Sequence, residues 1–175
     1  DDESAIEAIK AAIDNGINLI DTAPAYGFGH SEELVGKAIK GRRSELLIST
    51  KCGLWWDTEE GSLFLERDGK KIYRNLSKKA IKLGAEQSLK NLGTDYIDIF
   101  ITHWQAMEPV KTPISETMEA LLELKKEGKI RAIGISNVTP EHVEEYLKYG
   151  RIDLIQDRYS MLTRENVEKN LLPLC

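Results

Sequence analysis

The chain has 175 residues, of which 41% are hydrophobic and 30% charged, and a formal charge of -5. That length suffices for one domain with a real core, and the acidic balance argues against a nucleic-acid or anionic-membrane surface, since both favour basic patches. No apolar run is long enough to span a bilayer, no apolar stretch near the start reads as a signal peptide, and Cys52 and Cys175 give neither a disulfide framework nor a metal-ligand spacing. The expectation is a cytoplasmic protein with no membrane or nucleic-acid partner.

The elements alternate along the chain. Ile6, Ile9 and Ile13 recur at helical spacing over 3–15, and Gly16 suits the stop. Residues 17–22 read as a strand. Ser31 is expected to cap the next helix, with Glu32 and Glu33 favourable in its first turn. Residues 45–51 form a second strand. The rhythm then breaks: Leu63 to Leu65 and Lys71 to Tyr73 flank Asp68-Gly69, a hairpin turn signal, so a β-hairpin is expected within an inserted loop around 53–75. Ser77 opens a helix that Gly93 ends, with Gly84 a weak point inside it. Residues 96–103 are a nearly continuous apolar strand, of the kind covered on both faces. A helix over 115–127 stops at Gly128, strand 130–136 follows, and Thr139-Pro140 opens another helix. A fifth strand spans 152–156 and a last helix 163–172.

Strands separated by helices imply an α/β fold with a parallel sheet. An eight-stranded barrel needs about 250 residues, so residues 1–175 are read as one partial (β/α)8 TIM-barrel domain of about five consecutive β/α units. In such a barrel the strand C-termini carry the active site. Asp21, Lys51 and His103 each end an apolar strand, and Tyr26 lies in the loop just after the first. By alternation, Leu19 with Asp21, Leu47 and Ser49 with Lys51, and Ile99 and Ile101 with His103 share a face. A tyrosine is a weak acid at neutral pH, and a nearby ammonium favours its phenolate. Lys51 can supply that charge, Asp21 can partner Lys51, and His103 can hydrogen-bond a carbonyl oxygen while Tyr26 delivers a proton to it.

At these residues the chain closely resembles the aldo-keto reductases. The resemblance runs through Asn18 to Ala23, Tyr26-Gly27, Ser31-Glu32, Thr50-Lys51, Asp98 to Trp104, Gly128 to Asn137 and Gln156 to Ser160, in family order. It implies an oxidoreductase on a (β/α)8 barrel that moves hydride from NADPH to an aldehyde or ketone, with NADP(H) as cofactor. Asp21, Tyr26, Lys51 and His103 would be the catalytic residues, with Tyr26 the acid. Ser136, Asn137 and Gln156 would hold the nicotinamide carboxamide beside Asp21, and Trp104 would line the substrate pocket with Tyr26 and His103. By family order the first strand and the last two strands are not represented in the chain. Gln105 stands where many members have proline, which bears on the shape of the loop.

Other readings of the same residues are plainer. Trp55, Trp56 and Phe64 pack the hairpin or edge the pocket, His30 and His142 are surface residues, and Gly27 and Gly29 lack the spacing of a dinucleotide fingerprint. Two other functions compete: a regulatory, non-catalytic relative that binds partners through its sheet edges, and an aldolase using Lys51 as a Schiff-base nucleophile. One histidine and one aspartate on strand ends make a thin ligand set, so no metal site is expected.

Overall fold

A computed structural model describes residues 1–175. Five parallel strands form one sheet in the order β1 (Leu19–Asp21), β2 (Leu47–Cys52), β6 (Ile97–Thr102), β7 (Ile130–Ser136) and β8 (Leu154–Gln156). The sheet curls as half of a barrel. Helices α1 (Asp2–Asp14), α2 (His30–Ala38), α3 (Lys78–Leu92), α4 (Ile114–Lys126) and α5 (Pro140–Leu147) pack side by side in that order. Their apolar stripes meet one face of the sheet, where Ile48, Phe100, Ile133 and Ile135 are fully buried with Ile81, Leu121 and Tyr146.

The expected stop and start signals act where they stand in most cases. Ser77 Oγ accepts from the Ala80 N–H at the start of α3, and Gly93 closes that helix in the left-handed region. Thr139 caps α5 in a capping box with His142, and Pro140 takes the first turn, where its missing N–H is harmless. Ser31 is different. The cap of α2 is Gly29, at φ 98°, and Ser31 lies inside the helix with its hydroxyl 2.9 Å from Thr22 Oγ1. Phe28, Gly27 and Gly29 all take positive φ, a tight winding that two glycines make possible.

The hairpin over β4 (Ser62–Arg67) and β5 (Lys70–Arg74) turns at Asp68-Gly69, both with positive φ, as a two-residue turn matching strand twist requires. A strand not read from the sequence, β3 (Leu54–Trp55), pairs antiparallel with β5 and makes a three-stranded sheet. Gly84 faces it: a Cβ there would lie 3.5 Å from Trp55, so this glycine sits where α3 meets the hairpin sheet. The expected last helix over 163–172 is instead a wide turn of π type at Asn166–Leu171 followed by a short 3₁₀ turn. Only Leu171 of those two turns is buried, so little packing enforces a regular helix there.

At the N-terminal end of the sheet, buried Asp98 accepts from the Ile48 N–H at 2.9 Å, from Arg43 at 2.6 Å and from Arg131 at 2.9 Å. The Tyr96 ring lies between the same two guanidiniums, 3.9 and 3.8 Å away. This network ties β2, β6 and β7 together at the end opposite the candidate site. No helix is long and apolar enough to cross a membrane.

Candidate active site

Asp21, Lys51 and His103 lie at or just past the C-terminal ends of β1, β2 and β6. Register makes Asp21 the partner of Ser49, and Lys51 the partner of Ile101, so the site rises from one face of the sheet. The Lys51 side chain is only 2% exposed. A buried amine needs acceptors, and Lys51 Nζ donates to Asp21 Oδ2 at 2.7 Å and to the Thr22 carbonyl at 2.8 Å. Ser49 Oγ donates to the other Asp21 oxygen at 2.8 Å, which fixes the carboxylate. Neither the Thr22 carbonyl nor Ser49 was singled out as a site group from sequence. Alternation already put Ser49 on the Lys51 face, and the Thr22 contact has no sequence signal.

The loop that follows brings Tyr26 back over this pair. Lys51 Nζ lies 5.1 Å from the Tyr26 ring centroid, and the Tyr26 and His103 rings meet edge to face at 6.0 Å. All four residues therefore converge. Tyr26 is 43% exposed, so its ring faces solvent on the open side of the site. The loop is braced from behind by Glu32, which is fully buried and accepts from Thr50 Oγ1 at 2.6 Å and Asn91 Nδ2 at 2.9 Å. Glu32 thus joins α2, β2 and α3, a structural duty beyond the helix-end charge read from sequence.

The His103 imidazole makes no hydrogen bond within the chain, although its backbone is held at both ends, to the Cys52 carbonyl and to Asn137 Nδ2. Burial, reinforced by the Lys51 charge and opposed by Asp21, pushes its pKa down to about 4. At neutral pH it is an uncharged ring that can donate one hydrogen bond. Burial pushes the Cys52 thiol up, so it is no nucleophile at neutral pH.

Ser136 and Gln156 are register partners at the ends of β7 and β8, and Asn137 follows Ser136 at φ 53°. Asn137 Nδ2 donates to the His103 carbonyl at 2.8 Å and to Ser136 Oγ at 3.1 Å. The Gln156 side chain has no hydrogen-bond partner within the chain. The Gln156 amide and the Ser136 hydroxyl proton, free at two adjacent strand ends, suit a ligand that is itself an amide. Trp104 leaves the site sideways and packs on Phe64 of the hairpin, ring centroids 5.0 Å apart, while Trp56 packs on Phe28 at 5.2 Å. Gln105 is buried and donates to the Ser136 carbonyl at 3.1 Å and to Thr102 Oγ1 at 3.3 Å, while the Tyr146 hydroxyl donates to its Oε1 at 2.8 Å. It clasps the loop after β6 to β7 and α5.

Comparison with known proteins gives concordant results. The model of the aldo/keto reductase family matches residues 1–175. The NADH-specific methylglyoxal reductase of Escherichia coli is 51% identical over 176 residues, covering 100% of this chain and 53% of that protein. The glycerol dehydrogenase of Gluconobacter oxydans superposes with a TM-score of 0.86 at 37% identity, covering 98% of this chain and 50% of that one. An aldo-keto reductase of Klebsiella pneumoniae solved with NADPH gives a TM-score of 0.80 at 32% identity, covering 99% and 54%. The chain spans about half the length of each of these relatives.

Proposed function

We propose, from the premise that this chain belongs to the aldo/keto reductase family, that it carries the proton-transfer centre of a nicotinamide-dependent reductase of aldehydes or ketones. The observation that carries the reading is the buried Lys51 ammonium, held by Asp21 and the Thr22 carbonyl beneath the Tyr26 ring. Residues 1–175 are taken as part of one barrel domain, with the hairpin sheet as its insertion.

In this reading the carbonyl oxygen of the substrate sits between Tyr26 and His103, flanked by Trp104. Neutral His103 donates a hydrogen bond that fixes the oxygen. Tyr26 passes its phenolic proton to that oxygen as the carbonyl carbon is reduced. The Lys51 ammonium stabilises the phenolate left behind, and Asp21 holds Lys51 in place. Ser136, Asn137 and Gln156 would hold the carboxamide of the nicotinamide, to which the free Gln156 amide and the Ser136 hydroxyl proton are complementary. The bound cofactor supplies the hydride. The family resemblance favours NADPH, whereas the Escherichia coli relative is named for NADH, and parallel assays with the two coenzymes decide between them. The name of that relative also makes methylglyoxal the first substrate to try. Lys51 Nζ is occupied by hydrogen bonds to Asp21 and the Thr22 carbonyl and is closed off from solvent, so a Schiff-base role, which needs a free and accessible amine, is disfavoured.

The test is Tyr26→Phe in the native, full-length protein, assayed by oxidation of reduced nicotinamide with methylglyoxal. The expected loss in kcat is about 10²- to 10⁴-fold, with KM changed far less. Because Tyr26 is exposed, the variant is expected to fold. Full retention of kcat would remove Tyr26 from the role of acid.

A further inference from the structure

A cleft beside the proposed reaction site holds a cation that the protein leaves unpaired. It lies between the hairpin sheet and the loops after β6 and β7, measures ≈ 460 Å³, and is lined by Trp104, next to His103, and by Asn137, which holds the His103 carbonyl. Arg74, at the end of β5, also lines it. Its guanidinium stands 4.3 Å from the Phe64 ring and 5.0 Å from the Trp104 ring. Its Nε is buried with no hydrogen-bond partner, and its Nη1 donates to Met107 Sδ, a weak acceptor. Arg74 forms no ion pair within 4.0 Å in a chain where most cations do. Its hydrogen-bonding capacity is therefore not met by the protein. Lys111, also in the lining, is likewise without an ion pair, and Glu108 is the single carboxylate there. His142, the remaining ionisable group in the lining, is held towards its neutral form by burial and by the Lys111 charge.

We propose that this cleft is a subsite for a carboxylate carried by the carbonyl substrate, with Arg74 as the residue that recognises it. The Arg74 guanidinium lies against the Phe64 and Trp104 rings, and the adjacent N–H groups of a guanidinium match the two oxygens of a carboxylate. The lining carries an excess of one positive charge (Arg74 and Lys111 against Glu108), which suits a monoanion. A carboxylate oxygen is a far better acceptor than the thioether it would displace. The subsite thus selects aldehydes or ketones with an acid group a few bonds from the carbonyl, and it rests on the carbonyl-reductase reading.

The experiment compares succinic semialdehyde with pentanal, a neutral aldehyde of similar length, on wild-type full-length protein and on Arg74→Met. The acid substrate is expected to lose about 10- to 100-fold in kcat/KM, mainly through KM, as for a lost charge-assisted hydrogen bond. Pentanal is expected to stay within about twofold. The readout is a ratio of two substrates on one preparation, so partial unfolding does not imitate it, and Arg74→Lys is expected to recover part of the ratio. Equal losses for both aldehydes, or none for the acid, would overturn the assignment. Calorimetric titration with succinate separates the two layers. Succinate bound by wild type and not by Arg74→Met, without turnover of any aldehyde, upholds the subsite and fails the reductase reading. No succinate binding by wild type fails the subsite.

Discussion

On the helix-covered face of the five-stranded sheet, Ile48, Phe100, Ile133 and Ile135 have no exposed surface; on the other face of the same strands, Leu19 and Leu47 are 46% and 47% exposed. Lys51 belongs to that second face and yet is buried, because its cover comes from the loops at the strand ends and not from a helix. One face is thus closed by apolar packing over its whole length. The other is open at the N-terminal ends of β1 and β2, while at their C-terminal ends polar contacts close it around Lys51. Substitutions on the first face should therefore act on stability, and those at the top of the second on chemistry.

Phe100→Ala is the strongest test of the covered face. It removes a fully buried ring from the main core, and the expected loss is about 3–5 kcal/mol in urea unfolding. A loss under about 1 kcal/mol would mean that the helices do not seal this face as described. At the top of the other face, His103 should leave a pH signature. Its folded pKa of about 4 lies below its ordinary 6.5, so as pH falls the unfolded chain takes up the proton first. Its contribution is whole above pH 6.5 and is lost as pH drops towards 4, by about 3 kcal/mol in all. His103→Gln should flatten this part of the curve of stability against pH relative to wild type. Parallel curves for the two proteins would show that the ring is open to water and does not belong to the closed end of the site.

How far this division could be read from sequence differs by element. Element order came from apolar period and from caps, which act locally, and the strand-end placement of Asp21, Lys51 and His103 followed from it. Lys51 was legible because an amine ending an apolar strand demands a partner. The cap at Gly29 was not, since a left-handed backbone angle leaves no compositional trace beyond the glycine itself, and Ser31 carried the more familiar signal. Strand β3 is two residues long, too short to show any period. Gln105 looked like a departure that threatened its loop, and the buried clasp it makes depends on Tyr146, 41 residues further on. Arg74 was illegible for the same reason: its environment is made by Trp104, which the hairpin reaches only by folding back.

Leu47→Ala gives the smallest expected effect and bears most directly on the contrast between the faces. Leu47 begins β2, pairs with Leu19, and shares its face with Ser49 and Lys51. A side chain already about half in water gives up little transfer free energy on truncation and leaves no sealed cavity, so the expected loss is at most about 1 kcal/mol. The exposure of Leu19 and Leu47 together with Ile17, 52% exposed, makes an apolar strip at one edge of the sheet. Strips of this kind call for a cover in a folded protein. Measured in the full-length protein, a loss approaching that of Phe100→Ala would show that polypeptide outside residues 1–175 closes this face, and the open end would then belong to the segment and not to the whole. A small loss would leave the asymmetry as a property of the protein, with the closed, polar end of the face resting on Lys51, Asp21 and the Tyr26 loop alone.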